Sequence, residues 1–261
     1  MNLNLAGKNA LVCASSGGIG KGIAIELLKE GVNVSILGRN EQKLEQTKKE
    51  LSKLGNVIAT VCNLARKDDI QNVFERTISE FGNIDILVNN QGGPAPGNFE
   101  DITEEQISEA LKINLMSILT LTRLCLPSMK NKKWGRIINI LSASAKESLP
   151  NMLLSNTVRP AVLGFSKSIA INYAGLGITV NNLLPSAVLS DRTNFFINKK
   201  AKDEGISFDE SLKQISARLP IKRIATPEEF AQSAVFLASE NASYLNGVSI
   251  CIDGGSSKGI I

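Results

Sequence analysis

The chain has 261 residues and a net charge of +4, and it contains no histidine and only two tyrosines, Tyr173 and Tyr244. Without imidazole there is no Ser-His-Asp or Cys-His nucleophile system and no His-ligated metal centre, and no metal site is expected. So small a charge, spread along the sequence, argues against nucleic-acid or membrane partners and leaves small acidic ligands open.

Short β-rich runs alternate with amphipathic stretches from the start. KNALVC (8–13) precedes a helix from about residue 18, VNVSIL (32–37) one over 41–54, and NVIATV (56–61) one over about 67–81. IDILVN (84–89) precedes a helix over about 103–130, and GRIINIL (135–141) one over about 152–174. ITVNNLL (178–184) leads into a polar insertion, and GVSICID (247–253) closes the series. Near-continuous apolar strands alternating with helices predict an α/β fold: a Rossmann-like, doubly wound, seven-stranded parallel sheet with helices on both faces. No composition break divides residues 1–261, so one domain is expected. Residues 185–225 interrupt the alternation with Asn198, Lys199, Lys200, Lys202, Asp203 and Glu204 around short apolar patches. They read as a lid, the alternative being a solvated surface excursion. Cys13, Cys62, Cys125 and Cys251 form no C-x-x-C pair and read as reduced core thiols. The N-terminal MNLNLAGK lacks a signal-peptide pattern and no apolar run approaches a membrane span, so a cytoplasmic location is expected.

Ala14-Ser15-Ser16-Gly17-Gly18-Ile19-Gly20 follows the first strand and opens a helix. Small residues let the backbone approach a pyrophosphate, and the helix start offers free N–H groups and a positive dipole end. Ser16, Gly18, Ile19 and Gly20 are the expected contacts. The second strand ends in Gly38-Arg39, where dinucleotide folds usually carry an acid for the ribose 2′-hydroxyl. A guanidinium pairs with a 2′-phosphate that a carboxylate would repel, so NADP(H) is expected over NAD(H).

These motifs, together with LVNNQGG (87–93), Asn114, RIINILSAS (136–144), NNLLPSAVLSDR (181–192), PEEFAQSAVFLAS (227–239) and ASYLNGVSICIDGG (242–255), resemble the short-chain dehydrogenase/reductase family, 3-oxoacyl-reductase-like, over nearly the full length. The resemblance implies that Asn63 and Leu64 contact adenine, Asn90 the adjacent ribose, and Pro185, Val188 and Ser190 the nicotinamide. It also implies a homotetramer packed through the fourth and fifth helices and the last strand. Ala14 stands where the family has its first fingerprint glycine, which should narrow the turn's φ options without blocking phosphate binding.

The family's catalytic set is a helix Asn, a Ser after the fifth strand, and Tyr-x-x-x-Lys on the next helix. Asn114 and Ser142 match the first two, but the usual spacing puts the tyrosine at Ser155 and the lysine at Arg159. A phenol with an intrinsic pKa of about 10, acidified by a nearby ammonium, is the usual proton donor. An aliphatic hydroxyl is a far weaker acid, and a guanidinium stays protonated. Ser155 and Arg159 share a helix face, so Arg159 is expected to hold the nicotinamide ribose hydroxyls. Ser142 and Ser155 are expected to bind a carbonyl oxygen jointly and relay a proton from water. Lys146 is a second candidate acid, the alternative being a solvated surface lysine. Tyr173, about 27 Å along the helix from Ser155, and Tyr244 do not substitute.

The expected activity is NADP(H)-dependent oxidoreduction of a small-molecule carbonyl or alcohol, such as a ketone or 3-oxoacyl thioester. The alternative is a catalytically silent NADPH-binding sensor or partner subunit. Residues 91–101 and 186–217 are expected to form the substrate pocket.

Overall fold

In the computed structural model, which describes residues 2–259, seven parallel strands run in the order β3-β2-β1-β4-β5-β6-β7. They are β1 (Asn9–Val12), β2 (Asn33–Gly38), β3 (Val57–Val61), β4 (Ile86–Asn90), β5 (Gly135–Ile140), β6 (Ile178–Pro185) and β7 (Ser249–Ile252). Alternation along β1 sends Ala10 and Val12 into one apolar layer and Leu11 and Cys13 into the other. The first layer packs beneath α1 (Gly18–Lys29), α2 (Glu41–Leu51) and α9 (Pro227–Ala238), and the second beneath α3 (Lys67–Phe81), α5 (Ser117–Lys132) and α6 (Leu153–Tyr173). Both faces are covered, as the continuous apolar strands require.

Helix starts follow local chemistry. Asn40 caps α2 by accepting from the Lys43 N–H, and Thr226 with Glu229 forms a capping box ahead of Pro227. Gly22 lets α1 approach α9, since a Cβ there would lie 2.8 Å from the Pro227 carbonyl oxygen. Cys13, Cys62 and Cys125 are buried as expected, while Cys251 is half-buried. Burial pushes the Cys62 and Cys125 thiols up to about 12, so they stay protonated at neutral pH.

Two stretches carry detail that the sequence pattern does not show. The helix foreseen over 103–130 is α4 (Glu104–Leu111), a π-helical turn at Lys112–Met116, and α5. Together they run continuously for 29 residues, Glu104–Lys132, long and apolar enough by length and composition to cross a membrane. Leu121, Cys125 and Met129 of this stretch pack on Leu87 and Ile137 of the sheet, as in the core helix of an α/β layer. Residues 185–225 carry two helices, α7 (Asp191–Glu204) and α8 (Phe208–Arg218). Ser211 Oγ donates to the Ile197 carbonyl (2.9 Å) and Lys200 to Gln214 (2.7 Å), joining the helices, and a bridge between Val188 and Ala225 pins the base of the excursion.

The strands are less uniformly apolar than their sequences suggest. Asn89 Nδ2 donates to Asn139 Oδ1 (2.8 Å), and Asn139 Nδ2 donates to Ser166 Oγ (2.9 Å) and Asn182 Oδ1 (3.0 Å). All four residues are buried, and they join β4, β5, β6 and α6. Asn139→Leu keeps the branched shape but strips partners from Asn89 and Asn182. It should cost at least about 2 kcal/mol, as each unmade buried hydrogen bond costs about 1–3. Denaturant unfolding with an unchanged m-value checks this.

Candidate active site

The glycine-rich turn after β1 is built around close backbone approach. A Cβ on Gly20 would lie 2.5 Å from the Ala14 carbonyl oxygen and 2.8 Å from Asn90 Nδ2, so only glycine fits there. Ala14 adopts φ 44°, a left-handed conformation that costs an L-residue about 1–2 kcal/mol. Asn90 Nδ2 lies 3.2 Å from the Cys13 and 3.3 Å from the Ala14 carbonyl oxygens. Its amide nitrogen is thus committed to the turn, so in this structure Asn90 shapes the site through Ala14. The first turn of α1 has no side-chain cap and no acid, leaving its N–H groups available to an anion.

A cleft of about 390 Å³ opens where the strand order reverses, at the carboxyl ends of β1 to β4. That edge is the ligand-binding position of doubly wound sheets. Ser16, Arg39, Asn63, Leu64 and Asn114 line the cleft, with Gly92–Ala95 on its far wall. Arg39 is exposed and makes no ion pair among the described residues. Asn63 folds on itself, its Oδ1 accepting from the Ala65 N–H (3.0 Å). Gly18, Ile19 and Gly20 start α1 beside the cleft. Pro185, Val188, Ser190, Ser142, Ser155 and Arg159 lie outside its lining. The start of α7 crosses the glycine turn: Ser190 caps the helix through the Thr193 N–H (3.2 Å) and sits over Gly18, and Asp191 pairs with Lys43. The start of α7 is therefore held against the turn.

Asn114 lies in the π-helical turn, and its Nδ2 donates to the Gly92 carbonyl (2.8 Å). Such turns insert one residue into the helical register and often mark functional positions. Ser142 Oγ caps a short 3₁₀ turn by accepting from the Ser144 N–H (3.2 Å). The hydroxyl facing Ser155 is that of Ser144, 2.8 Å away, with both residues buried. Ser144 thus joins Ser142 and Ser155, the two serines expected to face the substrate oxygen. Ser144 was missed because family spacing draws attention to a single serine, although ILSASA carries a second one two residues on.

Arg159, 3% exposed, donates Nη1–H to the Ile140 carbonyl (3.0 Å), and its Nε has no partner. Burial first, and the nearby Arg192 second, push its pKa down to about 10, so it stays charged at neutral pH. Arg192, also missed in the sequence, belongs to the first turn of α7. It donates to the carbonyls of Gly93 (2.9 Å) and Pro94 (3.1 Å) with its guanidinium over the Phe196 ring. Lys146 is exposed and bonds the Ser249 carbonyl at 3.2 Å, which is the solvated alternative. Tyr173 ends α6 with Lys130 over its ring, and Tyr244 is fully exposed. Neither phenol reaches Ser155.

The fold and its ligand edge define a dinucleotide-binding α/β protein, and comparison with known proteins gives the family. A family model described as enoyl-(acyl carrier protein) reductase matches residues 13–257. The NADPH-dependent reductase BacG of Bacillus subtilis is 33% identical over 97% of this chain and 99% of its own length. The D-beta-hydroxybutyrate dehydrogenase of Cupriavidus necator is 33% identical over 96% of this chain and 98% of its own. L-sorbose reductase of Gluconobacter frateurii, solved with NADPH and L-sorbose, superposes with a TM-score of 0.96 at 30% identity over 100% of both chains. This chain belongs to the short-chain dehydrogenase/reductase family of oxidoreductases.

Ala14→Gly relieves the left-handed strain in the turn. It should stabilise the protein by up to about 1 kcal/mol, the strain relieved being partly offset by the greater chain entropy of glycine. A higher melting temperature with unchanged dinucleotide affinity would bear this out.

Proposed function

We propose that the protein is a cytoplasmic NADP(H)-dependent oxidoreductase acting on small-molecule carbonyl or alcohol groups, a ketone or a 3-oxoacyl thioester among them, with a proton donor other than tyrosine. The observation that carries the reading is Arg39, which lines the cleft beside Gly38 with no acid paired to it among the described residues. The donor set fits a phosphorylated dinucleotide. Ser16, Gly18, Ile19 and Gly20 at the start of α1 would hold the pyrophosphate, and Arg39 the 2′-phosphate. Asn63 and Leu64 would flank adenine, and Pro185, Val188 and Ser190 the nicotinamide. The names of BacG and the complex of L-sorbose reductase support the same cofactor.

When bound, the reduced dinucleotide supplies a hydride, and the protein's task is to position the carbonyl and furnish a proton. Ser155 and Ser144 form a hydroxyl pair in which either can donate, so a proton can pass along it. Arg159 places a fixed positive charge on the same α6 face as Ser155, where it favours negative charge developing on the carbonyl oxygen. It also has donors for the ribose hydroxyls. Asn114 holds the Gly92 carbonyl and so shapes the cleft wall. Without a phenol, the chemical step should run slower than in relatives that have one, a general acid contributing about 10²- to 10⁴-fold. Exposed Ile107, Leu111 and Met116 on one helical stretch are consistent with the homotetramer that the resemblance implies.

A second reading, a catalytically silent NADPH-binding protein, is motivated by the Ser155 and Arg159 replacements. Direct NADPH binding, measured beside NADPH oxidation on ketones and oxoacyl thioesters, separates the two, since tight binding without turnover favours the silent protein. Arg39→Ala should weaken NADPH about 10- to 100-fold and NADH much less, one charge-assisted contact being lost. Equal or tighter NADH binding by the unaltered protein would overturn the cofactor assignment. Ser155→Ala and Ser144→Ala should each lower kcat by at least about tenfold with NADPH affinity unchanged, as stopped-flow turnover would record.

A further inference from the structure

Two guanidinium groups converge on the adjoining carboxyl ends of β5 and β4, with no acid paired to either among the described residues. Arg159 donates to the carbonyl of Ile140, whose register partner on β4 is Asn90. Arg192 donates to the carbonyls of Gly93 and Pro94, three and four residues further along the same segment. Its guanidinium carbon lies 2.7 Å from where a Gly93 Cβ would be, so it is pressed onto the cleft wall. Neither arginine has an ion pair among the described residues. The one acid beside Arg192 in sequence, Asp191, turns to Lys43, and Glu109, which lines the cleft, is bonded to neither.

Burying guanidinium charge without a counter-ion is costly, and proteins tolerate it where a ligand supplies the missing anion. The neighbouring carbonyls satisfy Nη1 of Arg159 and one donor on each Nη of Arg192, leaving Nε of the nearly buried Arg159 unpartnered. Gln91, one residue past β4, is also buried, with both carboxamide atoms unpartnered. By strand alternation it continues the face carrying Asn89, which looks toward α6 through Asn139 and Ser166. Arg159 lies seven residues before Ser166 on α6, two turns nearer the carboxyl edge and on the same helix face. Polar groups lacking partners and charges lacking counter-ions thus gather at one place. The dinucleotide's own anions are accounted for elsewhere, by the α1 start and Arg39.

We propose that Arg192 binds the carboxylate of the substrate, the nearby charge of Arg159 adding to its pull on an anion, so that this chain acts on short oxo acids in preference to neutral ketones or thioesters. The inference rests on the reductase reading above and narrows its substrate class. In the forward direction the oxo acid gains a hydride at its carbonyl carbon as the C=O π pair moves to oxygen, and that oxygen takes a proton from the Ser155–Ser144 pair. The pair is reprotonated from water, the hydroxy acid leaves, and NADPH is oxidised to NADP⁺. Because Arg192 sits in the first turn of α7, carboxylate binding also fastens the lid.

The test pairs 2-oxo and 3-oxo acids of up to six carbons with their methyl esters, following NADPH oxidation. The acids should exceed the esters about 10- to 100-fold in kcat/KM, the range of one or two charge-assisted contacts. Arg192→Gln should shrink that ratio to within a few-fold, largely through the KM of the acid, and Arg192→Lys should restore part of it. Esters turning over as well as acids would overturn the proposal, as would an Arg192→Gln variant that loses NADPH affinity instead. If no carbonyl turns over, the reductase reading fails separately. Calorimetric titration of the NADPH-saturated and cofactor-free protein with the same pairs then decides the carboxylate site. Acid-selective binding lost in Arg192→Gln supports it, and acids binding no better than esters overturns it.

Discussion

Across the centre of the sheet, Asn89, Asn139 and Asn182 are linked side chain to side chain over three adjacent strands, and Ser166 of α6 joins the same network. An apolar side chain tolerates small shifts of register, whereas a buried amide must find its partner at one distance and angle or lose the interaction. The network therefore sets how β4, β5 and β6 align, and it sets the rotation of α6 against them. Ser155 and Arg159 lie eleven and seven residues before Ser166, so their positions at the carboxyl edge follow from this anchoring.

The second constraint lies at the turn after β1. Gly20 permits contact between α1 and the Ala14 carbonyl, and Asn90 clasps that carbonyl from β4. The phosphate end of the cleft is thereby tied to the same strand whose extension carries Gly92, Gly93 and Pro94. One strand end thus connects the cofactor turn, Asn114 through the Gly92 carbonyl, and α7 through Arg192. α7 is held at a second point by Lys43 and Asp191. The start of α7 and the cofactor turn are therefore linked over a few residues of backbone.

Much of this was legible beforehand because its cause is local. Strand patterns, the glycine turn opening a helix, and Arg39 in place of an acid are each specified within a few residues, and the structure has them where expected. The absence of a phenol was likewise a matter of counting two tyrosines and locating them. The asparagines of the strands were in plain view in LVNN, IINI and VNNLL, yet they read as interruptions of apolar runs, since their partners lie 43 and 50 residues away. Ser144 was hidden by the expectation of a single serine. Arg192 was hidden because a charged residue in a polar insertion looks solvated until its contacts are known.

The amino-acid sequence by itself determined the architecture, the family and the preferred dinucleotide, all consequences of residue type at short range. Tertiary structure alone decided which serine meets Ser155, that Lys146 turns outward to β7, and that two arginines from distant segments bond the adjoining ends of β5 and β4 with no acid paired to them among the described residues. The reason is physical. Hydrogen-bond partners and uncompensated charge depend on distances of a few ångströms between segments, which chain position does not encode until the sheet has brought them together.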